Sequence, residues 1–183
     1  MRALVRSILN FSLGILKWPL ALFMLYLLPD SALEMLELLE SSELESPQVA
    51  PFITGFVSYT LAWLILFKRY FMGSWLSTLE HELTHGLFAL LTLHKILEVK
   101  TSYRSGGHIR YTGAGNWLIT ICPYFFPTIS FIIMGILAFL DSSQNPWLNL
   151  CLGISVSYHI TSTWHETHWG QSDIKEVGYF YSF

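Results

Sequence analysis

Residues 78–93, which read TLEHELTHGLFALLTL, decide the interpretation of this chain. They hold the pattern H-E-x-x-H, formed by His81, Glu82 and His85, inside an otherwise apolar segment. Residues four apart lie on one face of a helix, so the two imidazoles can bind one divalent ion. Zinc suits two imidazoles with an open coordination position, and it lowers the pKa of bound water to about 7. The segment therefore predicts a zinc site, with Glu82 placed to act as general base.

The apolar setting of this pattern supports the metal site. Ionisable side chains are costly inside an apolar span and are rarely present there without a function. Glu80 adds a fourth such side chain to the same segment. The alternative interpretation is a polar patch that faces other helices of a bundle and needs no metal. The residue types and their spacing favour the metal site.

The composition is that of a membrane protein. Of 183 residues, 52% are hydrophobic and only 13% are charged, whereas soluble domains carry about 25% charged residues. Aromatic residues reach 16%, as expected where rings anchor a chain at the lipid–water interface. The net charge is −3 and the basic residues are scattered, so nothing in the sequence indicates a nucleic-acid-binding surface, and we expect no nucleic-acid partner. We expect the lipid bilayer as a partner.

Apolar runs and turn signals predict an all-α polytopic membrane protein with about five transmembrane helices and a short β-hairpin after the H-E-x-x-H helix. The hairpin, at residues 97–112, is predicted from alternation on both sides of a Gly-Gly turn. We expect a kink in the fourth span at Pro123 and Pro127. The five spans lie at residues 7–28, 51–67, 73–93, 116–140 and 147–163.

The chain is predicted to form one membrane-embedded domain, 1–183. Residues 1–71 would hold two spans with an acidic loop between them, and residues 72–178 a catalytic core. In the acidic loop, Ser31 and Glu34 form a capping box that predicts a short, separate amphipathic helix.

Charges at the ends of the first two spans predict the orientation of the chain. Arg2 and Arg6 precede the first span, which we expect to be retained, and Lys68 and Arg69 follow the second. By the positive-inside rule, the amino terminus and the 68–70 turn face the cytoplasm. We expect a multi-pass protein of a prokaryotic plasma membrane.

A catalytic zinc ion needs a third protein ligand. Depth in the membrane favours His159, because the fifth span should run parallel to the third. Gly170 could instead end that helix and let Asp173 fold back, and carboxylate is a common partner of two histidines. Glu166, His165 and His168 are candidates for orienting a ligand. The candidate ligands are Asp141, His159, His165, Glu166, His168 and Asp173.

The HELTH segment in an apolar span, the β-hairpin after it and the proline-containing span resemble the site-2 protease family of intramembrane zinc metalloproteases (peptidase family M50). Its short M50B-like members are the most similar, over residues 72–178. The resemblance implies that His81, His85 and a later aspartate hold Zn²⁺. That aspartate usually lies in an Asn-Pro/Leu-Asp-Gly setting, which this chain lacks, and Asp173 in GQSDI is the best positional match. We rank Asp173 first and His159 as the alternative.

The resemblance implies an intramembrane zinc metalloprotease that hydrolyses peptide bonds of membrane-spanning or juxtamembrane protein substrates through a zinc-activated water, with Glu82 as general base. We expect the hairpin to capture an extended substrate strand. We also expect Ser77, Thr78 and Thr84 to line a path for water. His94 and His108 are expected at the surface.

Two other functions fit the same residues. The first is a membrane zinc hydrolase that acts on a non-protein amide. The second is a non-catalytic membrane scaffold or binding protein that keeps the metal for stability. The sequence contains no signal for a further cofactor, and it makes no prediction of oligomeric state.

Overall fold

A computed structural model describes residues 1–40, 42–67, 75–102 and 106–182 of the chain. This part is mostly helical and carries one two-stranded antiparallel sheet, of β1 (Ile96–Ser102) and β2 (Gly106–Tyr111). A 3₁₀ turn at Ser42–Glu45 precedes α2, and a π-helical stretch, Trp63–Phe67, extends it. The helices are α1 (Arg2–Glu40), α2 (Val49–Ala62), α3 (Trp75–Leu91), α4 (Trp117–Phe125), α5 (Thr128–Phe139), α6 (Pro146–Glu166), α7 (Ser172–Val177) and α8 (Tyr179–Ser182).

Two helical segments of the described chain are long and apolar enough to cross a membrane. They are Arg2–Leu38 and Val49–Leu66, and α4 with α5 counts as a third if this broken pair is one span. The mostly helical class and the β-hairpin are thus confirmed, with two candidate membrane spans, whereas the count of five spans, which includes α3 and α6, stays a prediction. Lys68, Arg69 and the start of the third span near Gly73 lie outside the described residues.

The first helix is longer than expected. It runs without interruption through Pro19 and Pro29 to Glu40, so the separate amphipathic helix predicted from Ser31 and Glu34 is wrong. The strong helix formers Ala, Leu, Glu and Met fill residues 32–40, and they continue the helix where the capping signal would have begun a new one. Ser31 lies inside α1 and does not cap it.

The hairpin lies where it was predicted, with a shifted turn. Val99 pairs with Ile109 and Lys100 with His108 in an antiparallel register. Gly106 and Gly107, expected in the turn, begin β2 instead, and the connecting residues 103–105 lie outside the described part.

The predicted kink in the fourth span is a full break between α4 and α5. Phe126 is extended, with φ −104° and ψ 106°, because the residue before a proline disfavours the helical conformation. Pro123 remains inside α4. Asn116 begins α4, since its side chain accepts a hydrogen bond from the backbone N–H of Ile119 at 3.1 Å.

The chain divides into two compact units. The first unit comprises Met1–Lys17, Arg69–Thr128 and Ser162–Phe183, and the second comprises Trp18–Lys68 and Ile129–Thr161. The prediction of a single domain stays a prediction. In the first unit, α3 and α4 share an apolar core formed by Phe88, Ala89, Ile119 and Cys122.

In the second unit, α2 and α6 approach closely at two glycines. A Cβ atom at Gly55 would collide with the carbonyl of Leu150, and one at Gly153 with the carbonyl of Phe52. The hydroxyls of Thr60 and Ser157, 2.8 Å apart, add a hydrogen bond between the same two helices. Small residues and hydroxyl pairs of this kind hold helices together in membranes.

Candidate active site

Helix α3 places the two histidines of H-E-x-x-H side by side. His81 and His85 lie one turn apart, and their ring centroids are 4.7 Å from each other. Glu82 is buried on the same helix, with 7% of its surface exposed. The spacing of four residues thus produces the shared face that the sequence predicts.

Asp173 joins these histidines because the chain turns back after α6. That helix ends at Glu166, and a turn that includes Gly170 leads into α7, which carries Asp173 in its first turn. Its Oδ2 atom lies 3.3 Å from Nε2 of His81 and 3.4 Å from Nε2 of His85. One ligand atom from each of the three residues lies within 4.8 Å of the others. His159 lies in the second unit and does not belong to this group.

The distances from Asp173 to the two histidine nitrogens fit a zinc ion bound among them. Hydrogen bonds between a charged nitrogen and a carboxylate are usually about 2.7–2.9 Å long, shorter than the 3.3 and 3.4 Å found here. Zinc bonds of about 2.0–2.2 Å in a tetrahedral site place neighbouring ligand atoms about 3.3–3.5 Å apart. Two imidazoles and a carboxylate are also a common donor set for hydrolytic zinc.

The outer nitrogen of each histidine has its own partner. Nδ1 of His85 donates to the backbone carbonyl of Ile119 at 2.7 Å, and Nδ1 of His81 donates to Oε2 of Glu166 at 3.0 Å. With Nδ1 engaged by its own partner in each ring, Nε2 is the atom left to bind a metal ion, and both Nε2 atoms face Asp173. The outer partners therefore orient both rings for metal binding through Nε2.

Asp173 is held in its ionised form. Burial on its own raises the pKa of Asp173, but hydrogen bonds with His81 and His85 and their charges outweigh burial and lower the pKa. The hydroxyl of Tyr124 donates to the same carboxylate at 3.3 Å. The carboxylate is thus the anionic ligand that a divalent ion prefers.

The far end of α7 is fixed by the amino-terminal helix. The ammonium group of Lys17 donates to the carbonyl of Val177, the last residue of α7, at 2.9 Å. The same group lies 4.4 Å from the ring centroid of Tyr181. These contacts satisfy a lysine that would be costly in an apolar helix, and they hold the short helix that carries Asp173.

The three candidate ligands and Glu82 line one cavity of about 450 Å³. Its walls come from α3, from β2, from the first turn of α4 and from residues 166–176. No lysine or arginine lines it among the described residues, so its charged lining groups are carboxylates and histidines.

Strand β2 lies very close to the side chain of Glu82 at Gly107. A Cβ atom at Gly107 would lie 2.5 Å from Cγ and 2.8 Å from Oε1 of Glu82, so only glycine allows this approach. His108 and Tyr111 of the same strand also line the cavity. The hairpin is thus a wall of the site, and nothing in the residue pattern of the strand had indicated this.

The expectations for His94 and Thr84 are wrong. His94 is buried, with 2% of its surface exposed, because Leu93 takes a left-handed conformation (φ 63°) at the end of α3 and turns the chain inward. Its Nε2 donates to the carbonyl of Ala114 at 2.9 Å. Thr84 is buried against Thr128 and does not line the cavity.

The remaining candidate side chains have other positions. Thr78 lines the cavity as expected. Ser77 was expected there too, but it does not line the cavity, and its hydroxyl donates to Oε1 of Glu166. Asp141 lies in the turn after α5 with a positive φ of 48°. Nδ1 of His168 accepts a hydrogen bond from the backbone of Gly170 at 3.1 Å.

Comparison with known proteins adds one finding. A family model described as Peptidase M50B-like matches residues 53–169. The matched segment contains the H-E-x-x-H helix, the hairpin and Glu166, and it ends before Asp173. No curated protein and no solved structure is significantly similar to the chain.

Proposed function

Because this chain belongs to the M50B-like peptidase family, we propose that it is an intramembrane zinc metalloprotease. Its substrates are membrane-spanning or juxtamembrane proteins, and its reaction is hydrolysis of a peptide bond. One observation carries the proposal: Glu82 lines the same cavity as the group formed by His81, His85 and Asp173. A general base beside a candidate metal site is the arrangement that amide hydrolysis requires.

The candidate metal ligands and Glu82 have separate roles in the proposed reaction. His81, His85 and Asp173 would hold the zinc ion, which polarises a carbonyl group and acidifies water when it is bound. Glu82 accepts the proton of the attacking water and returns it to the amine that leaves as the peptide bond breaks. Burial of Glu82 keeps bulk water away from this proton transfer.

Strand β2 is the proposed binding site for the substrate backbone. Gly106, Gly107, His108 and Ile109 line the cavity in sequence, so the strand passes along the site. An unwound substrate segment that pairs with the free edge of β2 would be extended, which exposes its peptide bonds to Glu82. The proposed capture of the substrate is therefore done by the hairpin of the membrane domain itself.

The proposed location is a prokaryotic plasma membrane, with α3 and α6 as further spans beside the two long apolar helices. Helix α6 has 21 residues, enough to cross a hydrocarbon core of about 30 Å. Glu82 and His85, which are buried on α3, then line the cavity and do not face the lipid.

The experiment that tests the proposal is Glu82→Gln in the full chain, purified in detergent. The substitution keeps the shape of the side chain and removes the base. We expect zinc content near that of the wild type and cleavage of a fluorogenic transmembrane peptide lowered about 10²–10⁴-fold. Asp30→Asn, a change of the same type on the exposed part of α1, serves as the matched control and should leave cleavage unchanged.

Other outcomes would replace the proposal. Cleavage by Glu82→Gln at the wild-type rate would remove Glu82 as the base. If the wild type hydrolyses a long-chain N-acyl amide but no peptide, the enzyme is a hydrolase of non-protein amides. If it binds zinc, cleaves neither probe and Glu82→Gln leaves the cellular phenotype intact, it is a scaffold or binding protein.

A further inference from the structure

The carboxylate of Glu166 contacts His81, one of the two histidines of the candidate metal site, on the side of the ring away from Asp173. Its Oε2 atom accepts the Nδ1 proton of His81 at 3.0 Å, and its Oε1 atom accepts a hydrogen bond from the hydroxyl of Ser77. The side-chain amide of Gln171 donates to the backbone carbonyl of Glu166 at 3.0 Å. Both oxygens of the carboxylate and its backbone are therefore fixed in place.

The two histidines differ in the charge of these outer partners. His85 donates to a neutral backbone carbonyl, whereas His81 donates to a carboxylate. A carboxylate partner fixes the ring tautomer and makes the opposite nitrogen a stronger electron donor. The contrast makes His81 the stronger electron donor of the two rings at the candidate metal site.

Glu166 also supplies a negative charge where the site needs one. A zinc ion with two neutral imidazoles and Asp173 would carry one excess positive charge, which is costly in a partly buried position. The side chain of Glu166 is 22% exposed and lies one imidazole ring away from the ligand nitrogen. Its charge makes the sum of the ion, Asp173 and Glu166 zero.

We propose that Glu166 is a positioning residue that orients His81 and balances the charge of the metal ion, without being a ligand itself. Among the described residues, the group able to hold the ion comprises His81, His85 and Asp173, and Glu166 lies on the opposite side of the His81 ring. The inference rests on the proposed function, since it assumes that this group binds zinc. It adds a residue whose loss weakens the metal site while all three ligands remain.

The test measures zinc affinity, by competition with a chromogenic chelator, in the full chain purified in detergent. Glu166→Gln keeps the shape of the side chain and removes its charge, and we expect an affinity about 10- to 100-fold lower than in the wild type. Ser77→Ala, which frees one carboxylate oxygen, should lower the affinity less. Glu98→Gln is the matched control, because Glu98 faces His108 at 3.8 Å on the exposed hairpin, and it should leave the affinity unchanged.

The absorption spectrum of the cobalt-substituted protein separates positioning from ligation. We expect Glu166→Gln to shift the visible bands and keep their intensity, because His81 donates less strongly while the number of ligands stays the same. His81→Ala should change the intensity, since it removes a ligand.

Three results would overturn the inference. One is wild-type zinc affinity in Glu166→Gln, and the second is a spectrum like that of His81→Ala, which would make Glu166 a ligand. The third is a Glu166→Gln variant whose cobalt bands do not shift and whose lower zinc affinity is explained by a lower unfolding temperature of the metal-free chain. A wild type that binds no zinc would instead remove the proposed function and this inference together.

Discussion

At the scale of single residues, the third ligand is the point where local pattern and spatial arrangement disagree. Depth along a straight helix favours His159, whereas the turn after Glu166 brings Asp173 within 3.3 and 3.4 Å of the two histidine nitrogens. The change of direction is local, since only a few residues separate the end of α6 from α7. Asp173 is therefore the ligand that we propose.

Zinc content distinguishes the two candidates. We expect about one zinc ion per wild-type chain, and a loss of that zinc in Asp173→Ala, because two imidazoles alone are a weak site for a catalytic metal. His159→Ala should keep its zinc. Elemental analysis of the purified proteins measures both, and zinc loss in His159→Ala with retention in Asp173→Ala would reverse the assignment.

At the scale of elements, the β-hairpin forms one wall of the cavity, and each of its two strands contributes differently to that wall. Strand β2 lines the cavity, and β1 pairs with it on the other side. Directly opposed residues of an antiparallel pair share the same hydrogen-bonding status, so Lys100 and His108 depend equally on the ladder between them. The two strands differ because the hairpin residues that line the cavity belong to β2.

A pair of proline substitutions uses this symmetry. Lys100→Pro and His108→Pro each remove one backbone donor from the same opposed pair, and they disturb the hairpin to a similar degree. If β2 binds the substrate backbone, His108→Pro should lower peptide cleavage more than Lys100→Pro does, because it distorts the strand that borders the cavity, with zinc content kept in both. His108→Ala is measured beside them, because it removes the imidazole and keeps the backbone N–H. Equal cleavage by both proline variants would contradict the proposal that the substrate pairs with β2.

At the scale of the whole molecule, the candidate ligands and the cavity belong to one of two compact units. The residues of the site come from α3, β2, α4 and the segment 166–176, all within the first unit. The close contact of α2 with α6 at Gly55 and Gly153 lies within the second unit. Changes at these glycines should therefore affect stability and zinc affinity differently.

Gly153→Ala tests this separation. The added methyl group collides with the carbonyl of Phe52, and overpacking of this kind costs about 1–3 kcal/mol. We expect a lower unfolding temperature in detergent and an unchanged zinc affinity. Gly135→Ala is the matched control, because no atom lies within 4 Å of a Cβ atom there. A parallel loss of zinc affinity would contradict the assignment of the site to the first unit.

The sequence by itself predicted a helical membrane protein and the three residues of the H-E-x-x-H pattern at the candidate site. Long apolar runs predicted helices because an apolar environment requires each backbone polar group to be satisfied within its own segment. His81, Glu82 and His85 could be identified because their relation is set by one helical turn. The hairpin followed from alternation, which is equally local.

The resemblance had ranked Asp173 first, but only the tertiary structure showed which distant groups lie beside His81 and His85. The choice of Asp173 depends on how the chain turns after α6, and the contact of Glu166 with His81 joins residues 85 positions apart. The burial of His94 and the approach of Gly107 to Glu82 likewise depend on packing between separate elements. Periodicity describes one element at a time, so it carries no information about which faces of separate elements meet.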